Sequence, residues 1–268
     1  MSKTFTTASN FYRDALRPFR LGRFRLLVDP LWSNDSVEQV LTESEALGAP
    51  EFAENRRRGK VVAPSSGYSD SFVKRYAPTD AQSIALKRRH PLHRLRSRYA
   101  YNEGAAYCFF RSAGIAVPKV HFFGEQWRFG FRGEGVVAIE FLDGRLVQDE
   151  LLGDEPGYWV ENTVDAVIKM HQLGYTHGDA NLINFIAVGR QSYAIDLENS
   201  RRVTDKKRSS DLVNILKSVH FSTGSRELMG VAASRYEESG LRLPQSAGDL
   251  FSKALFKADR HRARVGNS

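Results

Sequence analysis

The chain has 268 residues, 41% of them hydrophobic, enough to bury a sizeable core as one large domain or two modest lobes. Its single cysteine, Cys108, excludes an intramolecular disulfide, and no Cys/His spacing resembles a zinc site: His90 and His93 read as part of a solvated turn. A net charge of +8 and a pI near 9.6 favour an anionic partner, whether nucleotide, phosphorylated sugar, nucleic acid or acidic lipid surface.

Five arginines (Arg13, Arg17, Arg20, Arg23 and Arg25) without a continuous apolar block argue against a secretory signal peptide at the start. Phe24, Leu26 and Val28 alternate as in a short strand, and Val37 to Leu47 has helical spacing. Lys60 to Tyr76 reads as strand, turn and strand, with Pro64-Ser65-Ser66-Gly67 as the turn. A basic run follows, Lys87-Arg88-Arg89 with Arg94, Arg96 and Arg98. Tyr101 to Ala113 is predicted helical, closed by Gly114 with Pro118 beyond. Val120 to Phe123 and Val136 to Phe141 read as strands, too short and too polar at their flanks to span a membrane. Trp159 to Leu173 carries one apolar stripe (Val160, Val164, Val167, Ile168, Leu173) and ends at Gly174. Phe185 to Val188 and Tyr193 to Leu197 form a predicted hairpin around Gly189-Arg190, and a last clear helix starts near Asp211. A second basic group, Arg201, Arg202, Lys206, Lys207 and Arg208, reads like the first as a solvated face. No repeat or low-complexity linker divides the chain.

The sharpest signal is His177-Gly178-Asp179-Ala180-Asn181-Leu182-Ile183-Asn184, followed by Ala194-Ile195-Asp196. An Asp, an Asn five residues later and a second Asp on the returning arm of a hairpin is the polar set a phosphoryl-transfer site needs. Mg²⁺ prefers oxygen ligands and shares its octahedron with water and phosphate. Asn184 and Asp196 suit that role. Asp179 suits acceptance of the attacking hydroxyl's proton. Taken singly each could be a turn residue or a strand-end cap; the ordered set, with a helix before and a hairpin after, favours chemistry.

HGDANLINF followed by AIDL resembles the catalytic and metal-binding loops of the protein-kinase-like superfamily, and within it the bacterial lipopolysaccharide core heptose and Kdo kinases. The likeness covers about Phe72 to Ser218. It implies an α+β, bilobal kinase-like fold in a single domain over 1–268, with a small β-rich lobe over 1–141 and a mainly helical lobe over 142–268. It further implies that Lys74 contacts the α- and β-phosphates of ATP, with Glu103 on the next helix as its counter-charge. The alternatives are a surface lysine and a helix N-terminal acid. Glu140-Phe141-Leu142 matches the hinge whose backbone binds adenine, or else a plain buried strand end. Asp211 matches the acid that braces the catalytic loop, or else a simple N-cap.

The pattern also departs from the superfamily. No G-x-G-x-x-G precedes Lys74. Gly178 stands where regulated protein kinases carry arginine, which points to constitutive activity. Glu198 replaces the glycine of D-F-G and reads either as a metal assistant or, more plainly, as a solvent-facing acid. The short stretch from Asp196 to Asp211 lacks A-P-E and leaves little room for a peptide platform. The resemblance and the charge together imply ATP- and Mg²⁺-dependent phosphorylation of a saccharide or lipid-linked sugar hydroxyl of the lipopolysaccharide inner core. They place the protein in the cytoplasm, held peripherally at the anionic inner-membrane surface, with no nucleic-acid partner. Two other readings stand beside this one: a soluble aminoglycoside- or choline-type kinase, and a pseudokinase or basic binding module.

Overall fold

The computed structural model describes residues 16–45, 56–61, 70–76, 99–128, 131–241 and 245–265. The Lys87–Arg98 run, His90, His93, Arg13 and the predicted turn at 64–67 lie outside the described residues. The described chain divides into two compact units, one of residues 16–111 with 118–141 and one of 112–117 with 142–265. The first is rich in sheet and the second mainly helical.

The first unit is built on a six-stranded antiparallel sheet. Its strands are β1 (Arg17–Leu21), β2 (Phe24–Val28), β3 (Arg56–Val61), β4 (Ser71–Tyr76), β5 (Val120–Arg128) and β6 (Phe131–Glu140), in the order β1-β2-β5-β6-β4-β3. Strands β5 and β6 run longer than their apolar cores because the hairpin continues through polar residues to Arg128 and Phe131. Gly22, at φ +55°, makes the two-residue turn between β1 and β2, a conformation cheap only for glycine.

Alternation along β4 sends successive side chains to opposite faces. Val73 joins Val28, Trp32, Val37, Val40 and Leu41 in an apolar cluster on the face covered by α1 (Asn34–Glu45). Arg75 shares that face and donates to the Leu41 carbonyl (3.0 Å) and Ser44 Oγ (2.8 Å). Lys74 points the other way, toward α2 (Tyr99–Ser112). Gly104 of α2 lies so close to the sheet that a Cβ there would meet the Phe123 ring at 2.3 Å. Residues 16–45 thus extend this sheet and cover its second face.

The second unit holds α3 (Val147–Glu150), α4 (Pro156–Gln172), α5 (Asp205–Thr223), α6 (Arg226–Glu238) and α7 (Ala247–Val265). A three-stranded sheet, β10-β9-β7, and a two-stranded one, β11-β8, lie among them. These are β7 (Arg145–Leu146), β8 (Tyr175–Thr176), β9 (Phe185–Val188), β10 (Gln191–Ala194) and β11 (Arg201–Arg202). The predicted stripe of α4 is buried at Val160, Val164, Val167 and Ile168, and Gly174 follows it at φ +82°. Two of the boundaries that differ from the sequence reading bear on the site. Helix α5 begins six residues before Asp211, at Asp205, because Thr204 is its N-cap and accepts from the Lys207 N–H. Asp211 is therefore an interior, fully buried helix residue, and the N-cap reading fails. The returning hairpin strand spans Gln191–Ala194 rather than 193–197, so Asp196 lies beyond it.

Candidate active site

The segment from His177 to Asn184 connects β8 to β9 and is held from beneath by Asp211. Asp211 Oδ2 accepts the His177 backbone N–H (2.9 Å) and Oδ1 accepts that of Gly178 (3.0 Å). The Nε2 of His171 lies 3.2 Å from the same carboxylate, and its Nδ1 lies 3.0 Å from the Tyr236 hydroxyl. A buried carboxylate accepting several charge-assisted hydrogen bonds fixes a loop far more firmly than turn chemistry alone. Gly178 adopts φ +92°, and a Cβ there would fall 2.2 Å from the Asn199 carbonyl oxygen. No arginine fits at this position, which accounts for His-Gly-Asp in place of His-Arg-Asp.

Asp179 and Asn184 are brought together. Asn184 Nδ2 donates to the Asp179 carbonyl (2.9 Å) and to its Oδ2 (3.3 Å). Asn184 closes a 3₁₀ turn (Leu182–Asn184) just before β9. Its carbonyl accepts the Ile195 N–H at 2.9 Å. That bond extends the β9–β10 ladder by one rung and carries Asp196 back toward Asn184. Asp196 takes up φ 59°, ψ 49° and is the single non-glycine residue at positive φ among the described residues. Such a conformation costs of order 1–3 kcal/mol and persists where the surroundings over-determine it. Ser200 Oγ, donating to the Thr176 carbonyl (2.6 Å), and the β11–β8 pairing tie down the chain just after it. Glu198 is buried, so the solvent-facing reading of that acid is wrong: the 3₁₀ turn Leu197–Asn199 folds it inward.

Burial raises the Asp179 carboxyl above the ordinary aspartate range, and the like charge of Asp196 pushes the same way. His177, the Lys217 ammonium and the Asn184 amide oppose it. His177 is fully buried and its ring packs on Phe185 at 5.1 Å. Burial lowers its own pKa, against the pull of the Asp211, Asp179 and Asp196 carboxylates. A carboxylate with raised proton affinity, its oxygens reached by three side-chain amides (Asn181, Asn184 and Asn214), is equipped to accept a proton from a hydroxyl. Asn184 spends its amide hydrogens on Asp179, while its Oδ1 carries no hydrogen bond among the described residues. That free oxygen and the Asp196 carboxylate fit a small hard cation that takes its other ligands from water and phosphate. No larger group of His, Cys, Asp or Glu gathers as a metal cluster among the described residues.

In the first unit, Lys74 Nζ and Glu103 Oε1 form a buried ion pair at 3.3 Å. Tyr76 and Tyr107 also donate to Glu103, the latter at 3.2 Å. Lys74 is 5% exposed, so it is no surface lysine, and Glu103, 2% exposed, lies beyond the first turn of α2, so it is no helix N-terminal acid. Glu140 ends β6, donates its N–H to the Lys119 carbonyl (2.8 Å) and accepts the Lys119 N–H on its own carboxylate (3.1 Å). Phe141 donates its N–H to Asp70 (2.8 Å), and Leu142 begins the second unit.

Three residues around Asp179 escaped the sequence reading. From α5, Asn214 donates to Asp179 Oδ1 (3.3 Å), Ser218 Oγ reaches Asn181 Oδ1 (3.4 Å) and Leu182 N (3.4 Å), and Lys217 lies between them. The available signal was a polar stripe, Asp211, Asn214 and Ser218, at helical spacing beside the apolar one.

A buried acid bracing a loop that pairs an aspartate with an asparagine, on a helical unit following a sheet unit, defines a phosphotransferase class of protein. The chain belongs to the lipopolysaccharide kinase (Kdo/WaaP) family, whose model matches residues 51–231. It is a kinase with an alcohol group as acceptor, and ATP is the donor that membership implies. The fold is similar to that of a solved structure described as WaaP in complex with acyl carrier protein: TM-score 0.57, 20% identity, covering 88% of this chain and 98% of that one. No curated protein sequence matches the chain. Among the described residues no helix is long and apolar enough to cross a membrane.

Proposed function

We propose that the protein transfers the γ-phosphate of ATP, with Mg²⁺, to a sugar hydroxyl of the lipopolysaccharide inner core, working peripherally at the cytoplasmic face of the inner membrane. In this reading the fold is a bilobal kinase fold, with lobes over 1–141 and 142–268. Asp179 takes the proton of the acceptor hydroxyl as it attacks phosphorus. Asn184 and Asp196 hold Mg²⁺, which when bound neutralises charge on the phosphates. Lys74, fixed by Glu103, contacts the α- and β-phosphates. The backbone at Glu140 and Leu142 receives adenine.

The observation that carries the reading is the Asp179–Asn184 contact on a loop anchored at two backbone N–H groups by buried Asp211. Positioning plus electrostatic stabilisation is nearly all that phosphoryl transfer asks of a protein, and this loop offers both. The basic surface at Arg201, Arg202 and Lys206 favours an anionic acceptor over a cationic aminoglycoside, at about 1 kcal/mol per residue near an acidic surface. The test is incubation with ATP, Mg²⁺ and core-defective lipopolysaccharide, followed by mass spectrometry of the released core. A gain of one phosphate, absent with Asp179→Ala, is expected. No gain with any core acceptor rejects the acceptor assignment.

A further inference from the structure

The reading above leaves two lysines unused. Asn214, Lys217 and Ser218 share one face of α5, and the first and last are hydrogen-bonded to the Asp179–Leu182 loop. Lys217 is half-buried, yet it makes no hydrogen bond or ion pair among the described residues. From α7, exposed Lys257 reaches Asn214 Oδ1 at 3.5 Å, and Asn214 in turn donates to Asp179. Burial is the main cause depressing the pKa of Lys217; Asp179 opposes it, and the Lys257 ammonium adds a smaller push in the same direction as burial. Asp179 nevertheless stays outside ion-pair contact. A half-buried cation without a contacting counter-ion is costly, and a bound anion would offset that cost.

The acceptor is the substrate that must come to Asp179, since its hydroxyl proton goes there. We propose that Lys217 and Lys257 form an acceptor-side anion subsite beside Asp179, which holds a carboxylate or phosphate already carried by the acceptor saccharide. The subsite rests on the kinase reading and deepens it: the enzyme selects acidic acceptors and uses their charge to set the hydroxyl against Asp179. A charged hydrogen bond lost with its partner left in place is worth a factor of about 10–100 in specificity.

The experiment compares kcat/KM on three preparations of core-defective lipopolysaccharide: untreated, with carboxylates converted to methyl esters, and with phosphates removed. Wild type is expected to prefer untreated material by at least about tenfold over one of the treated forms, which identifies the anion. In Lys217→Gln and Lys257→Gln that preference should collapse, with the loss falling on the acceptor KM, whereas Lys217→Arg and Lys257→Arg should keep it. Circular dichroism and melting midpoints establish that each variant is folded. A wild-type enzyme indifferent to both treatments overturns the subsite. So does a fall in kcat that is equal for all three acceptors, because the lysines would then act on the transferred phosphoryl group. An enzyme that phosphorylates none of them defeats the acceptor reading itself, and the subsite with it.

Discussion

The base proposed for the reaction, Asp179, is a carboxylate whose proton affinity is raised chiefly by burial. Replacing it with Asn keeps the size and removes the base, so phosphate transfer should drop by about 10²–10⁴-fold, read as initial rate at saturating ATP. The metal role proposed for Asp196 can be tested without disturbing the backbone, since its left-handed conformation is tolerated by Asn almost as well as by Asp. Asp196→Asn should thus melt within a degree or two of wild type, on the order of the near-neutral surface changes, while losing Mg²⁺-dependent transfer. A different residue contributes to the pH dependence of stability. His121 is buried against Trp32 at 4.5 Å, and neither ring nitrogen has a hydrogen-bond partner among the described residues. Burial, with Lys119 nearby, lowers its pKa from 6.5 to about 4. The unfolded chain then binds the proton more readily than the fold does, so the stability from keeping His121 neutral is present above pH 6.5 and lost as pH falls toward 4. The loss is about 3 kcal/mol, and fully buried His177 adds to it in the same direction. Urea midpoints measured across this range should fall in wild type and fall less steeply in His121→Phe; equal slopes would exclude His121 as a source.

At the scale of elements, two buried carboxylates tie separate segments together. Asp211 projects from the second turn of α5 and holds His177 and Gly178 by their backbone N–H groups. Asp211→Ala orphans both donors and the His171 ring, at about 1–3 kcal/mol for each buried group left unpaired. The catalytic rate should fall by more than stability alone explains, because Asp179 loses its anchor; refolded variant assayed well below its melting midpoint separates the two effects. Glu103 plays the corresponding part on α2. Lys74→Met takes the ammonium away from this buried carboxylate, and removing one member of such a pair costs about 3–5 kcal/mol, measurable by urea denaturation. Glu103→Gln with Lys74→Met should recover part of that loss, which a double-mutant cycle would quantify.

For the molecule as a whole, the family match makes nucleotide binding measurable without an acceptor. ATP at one hundred times its Kd should add about 2.7 kcal/mol to stability, seen as a rise in melting midpoint. Chelating the divalent ion, or substituting Asp196 by Asn, should remove most of that rise if Asp196 holds the ion on the phosphates. A midpoint that climbs equally with and without the metal would remove Asp196 and Asn184 from that role.

The geometry of the candidate site was legible in the sequence because its residues are local: Asp179, Asn184 and Asp196 lie on a loop and one hairpin, whose strand pairing brings its two ends together whatever surrounds it. Lys74 and Glu103 were legible only through resemblance, since 29 residues separate them and nothing in their spacing signals contact. What packing alone decided was the rest of the environment. Periodicity along Tyr193 to Leu197 reads as strand, and only the fold turns Asp196 into the left-handed region and Glu198 inward. Asn214 and Ser218 of α5 meet Asp179, Asn181 and Leu182 because a helix face 35 to 37 residues further along the chain docks on the loop. Local spacing determines which oxygens can converge; the depth of their burial and the charges around them are properties of surfaces brought together by the tertiary fold.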